Sequence, residues 1–473
     1  MNITAHRLSP LLTLLLLLLV ACSQPTAVPP LVISDTTAII PTATSTTTTT
    51  PTQPPAPTAT TISVATPSPT TVSTAAPTPF FSGTPSPACG QILPLFSGET
   101  AVPPTTQLQP DPNALAQLEK IIPASALPAL RYLLDNPQDV GLAIYRLGEE
   151  ANGVYLNADI PMPLASVVKL IHLVAYAEAV AAGQLNPLST IPLAELDRYY
   201  LPRSDLGAHQ DAVNELIANG RTFGDPPQIL LDEVPWLMIR HSSNAATDYL
   251  HMLLGQTAIE ETAVSLGLSQ QTAPCPFLAQ FLAMSNHVRT ADNDRAALEA
   301  YLADPTLYGT ESMLLFDAFT QDETFRADEI SWRADNRRPS LPTQQFFTAN
   351  LNAQGTARQY AALMARLAQN GLSNGDSSFI ARRFLEWPMV FQVNQDLFDN
   401  LGYKNGRFPG LHTTVYYAYP DGQTIPIVIA LFFHNLPNRT YQQWRSTLPH
   451  DEFARWLLYD PAALPALRAV INP

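Results

Sequence analysis

Residues 164–169 read Leu164-Ala165-Ser166-Val167-Val168-Lys169 and open a strongly apolar helical pattern over 166–182. The spacing predicts a helix with Ser166 in its first turn. There the backbone N–H groups lack intrahelical acceptors, and the positive end of the helix dipole favours a developing negative charge. Lys169 lies three residues on, on the same helix face. A lysine desolvated at that position loses its preference for the charged form and can take a proton from a serine hydroxyl. The pair then reads as nucleophile and base. Ser-x-x-Lys alone is equally an N-cap followed by a solvated lysine, so its surroundings decide between the two.

Two short strand-like runs, 141–147 and 154–157, precede this segment. Glu149-Glu150-Ala151-Asn152-Gly153 joins them as a hairpin turn. Near the other end, 412–419 and 424–434 are rich in Val, Ile, Tyr and Phe and flank the turn Pro420-Asp421-Gly422. Most of the chain between the hairpins is helical in pattern, as at 244–254 and 356–369. Helical spacing also covers 112–121, 124–135 and, despite Pro461 and Pro465, 452–469. Two distant hairpins meeting in one antiparallel sheet, with helices on its faces and an all-helical lobe alongside, give an α+β (mixed α/β) fold.

Two further segments carry chemistry. Residues 230–250, LLDEVPWLMIRHSSNAATDYL, predict a helix, a break at His241-Ser242-Ser243-Asn244, and a second helix. In such a break Ser242 can relay a proton to a leaving group and Asn244 can orient substrate or lysine. The plainer reading is an N-cap pair opening the second helix. Lys404-Asn405-Gly406 stands just before the C-terminal hairpin. Lys404 would add positive charge to a cleft, and Gly406 would let the backbone approach a ligand closely. The N–H of Arg407 would complete an oxyanion hole with that of Ser166. An ordinary Asn-Gly turn is the alternative.

Together the three segments resemble the penicillin-recognising serine hydrolases, which use Ser-x-x-Lys, Ser-x-Asn and Lys-Thr-Gly in this order. Within that group the chain is most similar to the class A β-lactamase-type domain, over about residues 112–473. The resemblance implies a β-lactamase/transpeptidase-like fold, with Ser166 as nucleophile, Lys169 as base and Ser242 as proton relay. It places Asn244, Lys404, Asn405, Gly406 and Arg407 on the substrate and requires no metal or organic cofactor. The implied activity is a serine hydrolase working through an acyl-enzyme on β-lactams or related cell-wall amides and esters. Its partner would be a small-molecule or peptide substrate such as a peptidoglycan stem peptide, and the protein would be a monomer. A D,D-peptidase with slow deacylation and a non-catalytic cell-wall-binding domain remain alternatives.

The pattern departs from the family in places. Ser243 stands where the family has aspartate. Thr348, in Thr348-Ala349-Asn350-Leu351-Asn352, stands where class A enzymes carry the glutamate that activates the deacylating water. Threonine cannot act as a carboxylate base. Asp322, Glu323, Asp328, Glu329 and Asp335 lie upstream without the right spacing and read as a solvated face. Residues 270–345 read as an inserted helical segment that reshapes the cleft. His172 reads as a core histidine, and His241, beside Ser242, is a candidate for the cleft lining. Arg407 and His412 are candidates to meet a substrate carboxylate, as basic groups near this strand do in the family, the alternative being that they face solvent. Cys89 and Cys275 are available to pair in an oxidising envelope.

The N-terminal stretch is built differently. The apolar run 11–21 falls short of the roughly 20 residues a bilayer span needs, and it matches the core of a secretory signal. It ends Leu19-Val20-Ala21-Cys22, which resembles the bacterial lipobox. Cleavage would leave a lipidated Cys22, so a membrane-anchored extracytoplasmic lipoprotein is expected. From 23 to 87 the chain is rich in Thr and Pro and has Asp35 as its single charged residue. Such a composition cannot bury enough apolar surface to form a core and favours an extended spacer. The expected division is a signal at 1–21, Cys22 with a linker over 22–110, and the hydrolase-type domain at 111–473. The net charge of −15 over 473 residues argues against nucleic acid as partner. Three cysteines cannot build a disulfide scaffold or a four-cysteine zinc site.

Overall fold

The structure, a computed structural model, describes residues 89–90, 103–289, 291–335 and 338–471. Cys22, the signal segment and most of the expected linker lie outside the described residues.

The first hairpin forms as expected from β1 (Val140–Arg146) and β2 (Val154–Leu156), with Leu142 opposite Leu156. Two short ribbons follow: β3 (Met162–Pro163) with β6 (Gln354–Gly355), and β4 (Thr190–Pro192) with β5 (Gln228–Leu230). The second hairpin forms as well, from β8 (Leu411–Pro420) and β9 (Ile427–Phe433), and a further strand, β7 (Phe398–Phe408), precedes it and pairs with β8. One antiparallel five-stranded sheet results, in the order β2-β1-β9-β8-β7. β9 pairs with β1 along its whole length, so the two ends of the domain close on each other.

Lys404-Asn405-Gly406 therefore lies within β7 and is not a turn. Lys404 sits opposite Val415 and Gly406 opposite Thr413. Local propensity hides this strand, because Lys, Asn and Gly are poor strand formers. Register with β8 overrides it. The actual turn falls at Pro409-Gly410, where Gly410 takes φ +83°.

Strand alternation sorts the core into two layers. Leu142, Ile144, Ile429, Leu431 and Phe433 pack with Leu130, Leu133 and Trp456 from the helices Leu127–Asp135 and Pro449–Tyr459. Ala143, Val428, Ala430 and Phe432 face the other way, against Tyr360 and Met364 of the helix Ala357–Ala368. Every residue of β9 is buried because both faces are covered. The 452–469 pattern resolves into two helices, Pro449–Tyr459 and Ala463–Ile471, separated at Asp460-Pro461. Pro461 has no N–H to continue the first helix, whereas Pro465 falls in the first turn of the second, where that loss is harmless.

The helical lobe contains Lys169–Ala181 and Asn244–Leu254, both buried nearly all round. The 270–345 segment folds mainly as the helices Phe277–Met284, Ala291–Ala303, Pro305–Gln321 and Glu323–Ala334 and leads into Leu341–Asn350. Its acids are not all a solvated face. Glu329 is fully buried, where it accepts from the His287 N–H at 2.8 Å and from Arg333 Nε at 2.5 Å. Asp322 caps its helix by accepting from Thr324 and Phe325. Cys89 and Cys275 are joined in a disulfide with Cα atoms 4.8 Å apart. No helix among the described residues is long and apolar enough to cross a membrane.

Candidate active site

The backbone entering the Ser166 turn is held from two sides. Ala165 takes φ +46° and donates its N–H to Asn352 Oδ1 at 2.9 Å. Thr413 Oγ1, on β8, donates to the carbonyl of Leu164 at 2.8 Å. Ser166 then lies in a short 3-10 turn, Ala165–Val168, ahead of the α-helix Lys169–Ala181. Its hydroxyl makes no hydrogen bond among the described residues and faces a cleft.

Lys169 is fully buried one turn below. Its Nζ donates to the Ser242 carbonyl at 2.6 Å and to Asn244 Oδ1 at 2.8 Å, and it lies 3.4 Å from Ser242 Oγ. The Phe277 ring covers it, with the centroid 4.5 Å from Nζ. Desolvation lowers the pKa to about 7, against the opposing pull of Asp205 and Asp248. A neutral amine has two N–H bonds and one lone pair. The two carbonyl-type acceptors occupy the N–H bonds, which leaves the lone pair for a hydroxyl proton.

The break at 241–244 is built by a π-turn, Leu237–His241, followed by Ser242 at φ +65°. Ser243 caps the next helix: its Oγ accepts from the Ala246 N–H at 3.1 Å and lies 2.9 Å from His209 Nδ1. His209 Nε2 in turn lies 3.2 Å from Asp197 Oδ1. This Ser-His-Asp chain has the order of a catalytic relay. Ser243 is fully buried, however, and does not line the cleft, so the chain braces the turn that presents Ser242 and Asn244.

β7 supplies the third part. Lys404 Nζ donates to Ser242 Oγ at 3.0 Å and to the Asn405 carbonyl at 2.8 Å. Burial, then the charges of Lys169 and Arg407, hold its pKa well below the usual lysine value. Ser242 Oγ thus sits between two buried amines. At Gly406 the close approach is to the protein's own backbone rather than to a ligand. A Cβ there would stand 2.4 Å from the Leu164 carbonyl oxygen and 2.8 Å from the Ser166 nitrogen. Glycine lets the edge strand press against the turn that carries the serine.

These elements enclose a cleft of about 550 Å³ lined by Ser166, Ser242, Asn244, Asn405, Gly406 and Arg407. Lys169 and Lys404 lie buried against it, bonded to Ser242. His241, a candidate from its place beside Ser242, also lines the cleft. His412 does not: it is buried, with ring centroids 4.4 Å from His450 and 5.1 Å from Tyr441, and burial lowers its pKa to about 3. His172 is a core residue, its Nε2 3.0 Å from His251 Nδ1. Thr348 points away from the cleft and donates to the Gln344 carbonyl of its own helix at 2.8 Å. Several residues of the site escaped the sequence reading. Asn352 had a signal, since Leu351-Asn352 completes the loop pattern around Thr348. Phe277, Asp205, Arg445 and Asp451 had none, because nothing local marks a side chain that only tertiary packing brings to the cleft.

Residues 124–440 match the beta-lactamase enzyme family. The chain belongs to this family. Among solved structures it is similar to the beta-lactamase from Sphaerobacter thermophilus, with 17% identity, 67% of this chain and 90% of that one covered, and a TM-score of 0.41. The class A beta-lactamase from Mycobacterium abscessus matches with 15% identity, 73% and 97% coverage and a TM-score of 0.41. PBP-A matches with 14% identity, 75% and 97% coverage and a TM-score of 0.40. No curated protein matches the chain. At the coarse level the protein is a beta-lactamase-like serine hydrolase, and its three motifs meet at one cleft in the order the family uses.

Proposed function

We propose that the protein forms an acyl-enzyme on Ser166 with β-lactams or related cell-wall amides and esters, and that it deacylates slowly, in the manner of a penicillin-binding peptidase. The observation that carries this reading is the buried amine of Lys169, held by Ser242 and Asn244 with its pKa near neutrality, one helical turn from Ser166. As Ser166 Oγ attacks the carbonyl carbon, its proton passes to Lys169 Nζ. The charge that develops on the carbonyl oxygen is met by the N–H groups of Ser166 and Arg407. Collapse breaks the bond to the leaving nitrogen or oxygen. The proton returns to that atom from Lys169 through Ser242 Oγ, with Lys404 stabilising the hydroxyl during transfer. Asn244 and Asn405 orient the substrate, and Arg407 meets its carboxylate.

Deacylation needs a base for water. Thr348 supplies neither a carboxylate nor a position in the cleft, which supports a long-lived adduct. A non-catalytic role would require Lys169 to be a mere brace, yet the two acceptors on Nζ leave its lone pair unused. The N-terminal pattern supports export and lipid attachment at Cys22, with the 23–87 stretch as a spacer, so we place the hydrolase outside the cytoplasmic membrane. The test is to incubate the protein and Ser166→Ala with a chromogenic cephalosporin and follow turnover and intact mass together. One drug mass on the wild type, none on Ser166→Ala, and turnover far slower than labelling are expected. Absence of any adduct at millimolar drug would sink the reading.

A further inference from the structure

The cleft holds more positive charge than acylation requires. Arg203, Arg338, Arg407 and Arg445 line it, against Asp205 and Asp451, in a chain whose net charge is −15. Arg240 also lines it but is paired with Glu215 at 3.1 Å; the other four form two groups. Arg407 and Arg445 both act electrostatically on Tyr441, next to the end of β7, and the Arg445 guanidinium carbon stands 6.0 Å from the Tyr441 ring centroid. Among the described residues Arg445 hydrogen-bonds only to the neutral Gln442 Oε1, at 3.1 Å, and its buried Nε has no partner.

Arg203 and Arg338 lie elsewhere, where the cleft continues into a side pocket of about 70 Å³. Arg203, Ser204, Phe281, Arg338 and Gln344 line both spaces, so the two are continuous. The side pocket touches neither Ser166 nor β7, and among the described residues no acid lines it. A third guanidinium there, Arg333, is neutralised by Glu329 at 2.5 Å. Arg203 donates to the Arg333 carbonyl at 3.4 Å. Arg338 is exposed and makes no hydrogen bond or ion pair among the described residues. The space suits a small head group.

We infer that this side pocket is a second anion subsite, so that the cleft takes an acyl donor with two oxyanionic groups. One group sits beside the scissile bond at Arg407 and Arg445. The other, a carboxylate or a phosphate, sits further along the acyl side at Arg338 and Arg203. A guanidinium fork matches either group through two parallel N–H bonds. The inference rests on the proposed acylation of Ser166 for the position of the first anion. Arg338 belongs to the inserted 270–345 segment, so that insertion acts as a specificity element.

Binding to full-length Ser166→Ala, measured by calorimetry at low ionic strength, tests this without any acylation. Three cephalosporins serve as probes: one with a neutral acyl side chain, one whose side chain ends in a carboxylate, and one whose side chain ends in a phosphonate. The second anion is expected to tighten Kd at least about 10-fold, with the carboxylate and phosphonate arms showing which group fits. Arg338→Ala should remove the gain, Arg338→Lys should restore part of it, and high salt should reduce it. Equal Kd values for the three probes, or a gain untouched by Arg338→Ala, would overturn the subsite. If wild-type Ser166 takes no adduct while the Kd gain persists, acylation fails and the anion subsite stands.

Discussion

Lys169 shows how much chemistry one residue draws from its surroundings. In water it would be a cation across the physiological range. Fully buried beneath Phe277 and bonded to a carbonyl and an amide oxygen, it has a pKa near 7. The amine is free above that value, so the rate of Ser166 acylation should rise with pH through about 7 and level off beyond it, as followed by stopped-flow absorbance. Asp205 opposes the depression by favouring the ammonium form. Asp205→Asn should therefore move this limb to lower pH, and a shift to higher pH would contradict the assignment. Lys169→Ala should slow acylation by about 10²–10⁴-fold. The same depression affects stability. Between pH 7 and 10.5 the unfolded chain holds the lysine proton more than the folded one does, so this group's contribution to stability rises with pH across that window and is least below it. Lys404, displaced in the same direction, adds to the trend.

At the scale of elements, the site depends on the edge strand β7 meeting the Ser166 turn. Gly406 makes that meeting sterically possible, since any Cβ would collide with backbone atoms that cannot swing aside. Gly406→Ala should cost about 1–3 kcal/mol of stability and abolish labelling of Ser166, read by urea unfolding and intact mass. Normal labelling in that variant would show that the strand need not approach so closely. The turn at 242–244 depends on Ser243 in an analogous way. Ser243→Ala removes a helix cap and the partner of His209, and should destabilise the fold by about 0.5–2 kcal/mol, measured as a lower urea midpoint.

Over the whole molecule, the disulfide joins the buried Cys89 to Cys275, two residues before Phe277, whose ring covers Lys169. It bridges residues 186 apart in sequence. A cross-link over so long a segment restricts the unfolded chain, typically by about 2–4 kcal/mol. The Cys89→Ser/Cys275→Ser double variant should melt several degrees lower by calorimetry, and an unchanged Tm would show that the bond contributes little. Globally the chain is acidic, while its cleft is lined with guanidinium groups. Net charge alone would therefore mislead about the substrate, because the local field in a low-dielectric cleft governs what enters it.

Much was legible in the chain order alone. Helical and strand periodicities are local, so the two-layered plan, the 244–254 helix and the first hairpin could be read directly. Ser-x-x-Lys and Ser-x-Asn announced themselves because each motif is confined to a single turn. Lys404-Asn405-Gly406 was legible as chemistry but not as a strand, because pairing with β8 rather than propensity makes it one. Only the tertiary structure brought Lys404 within 3.0 Å of Ser242, across 162 residues. It alone turned Thr348 out of the cleft and put Asn352 behind Ala165. It alone set Arg338 of the insertion at the cleft's far end. The physical reason is range. Periodicity and turn chemistry act between neighbours in sequence, whereas desolvation, charge and steric contact act between neighbours in space, and only the folded chain determines which residues those are.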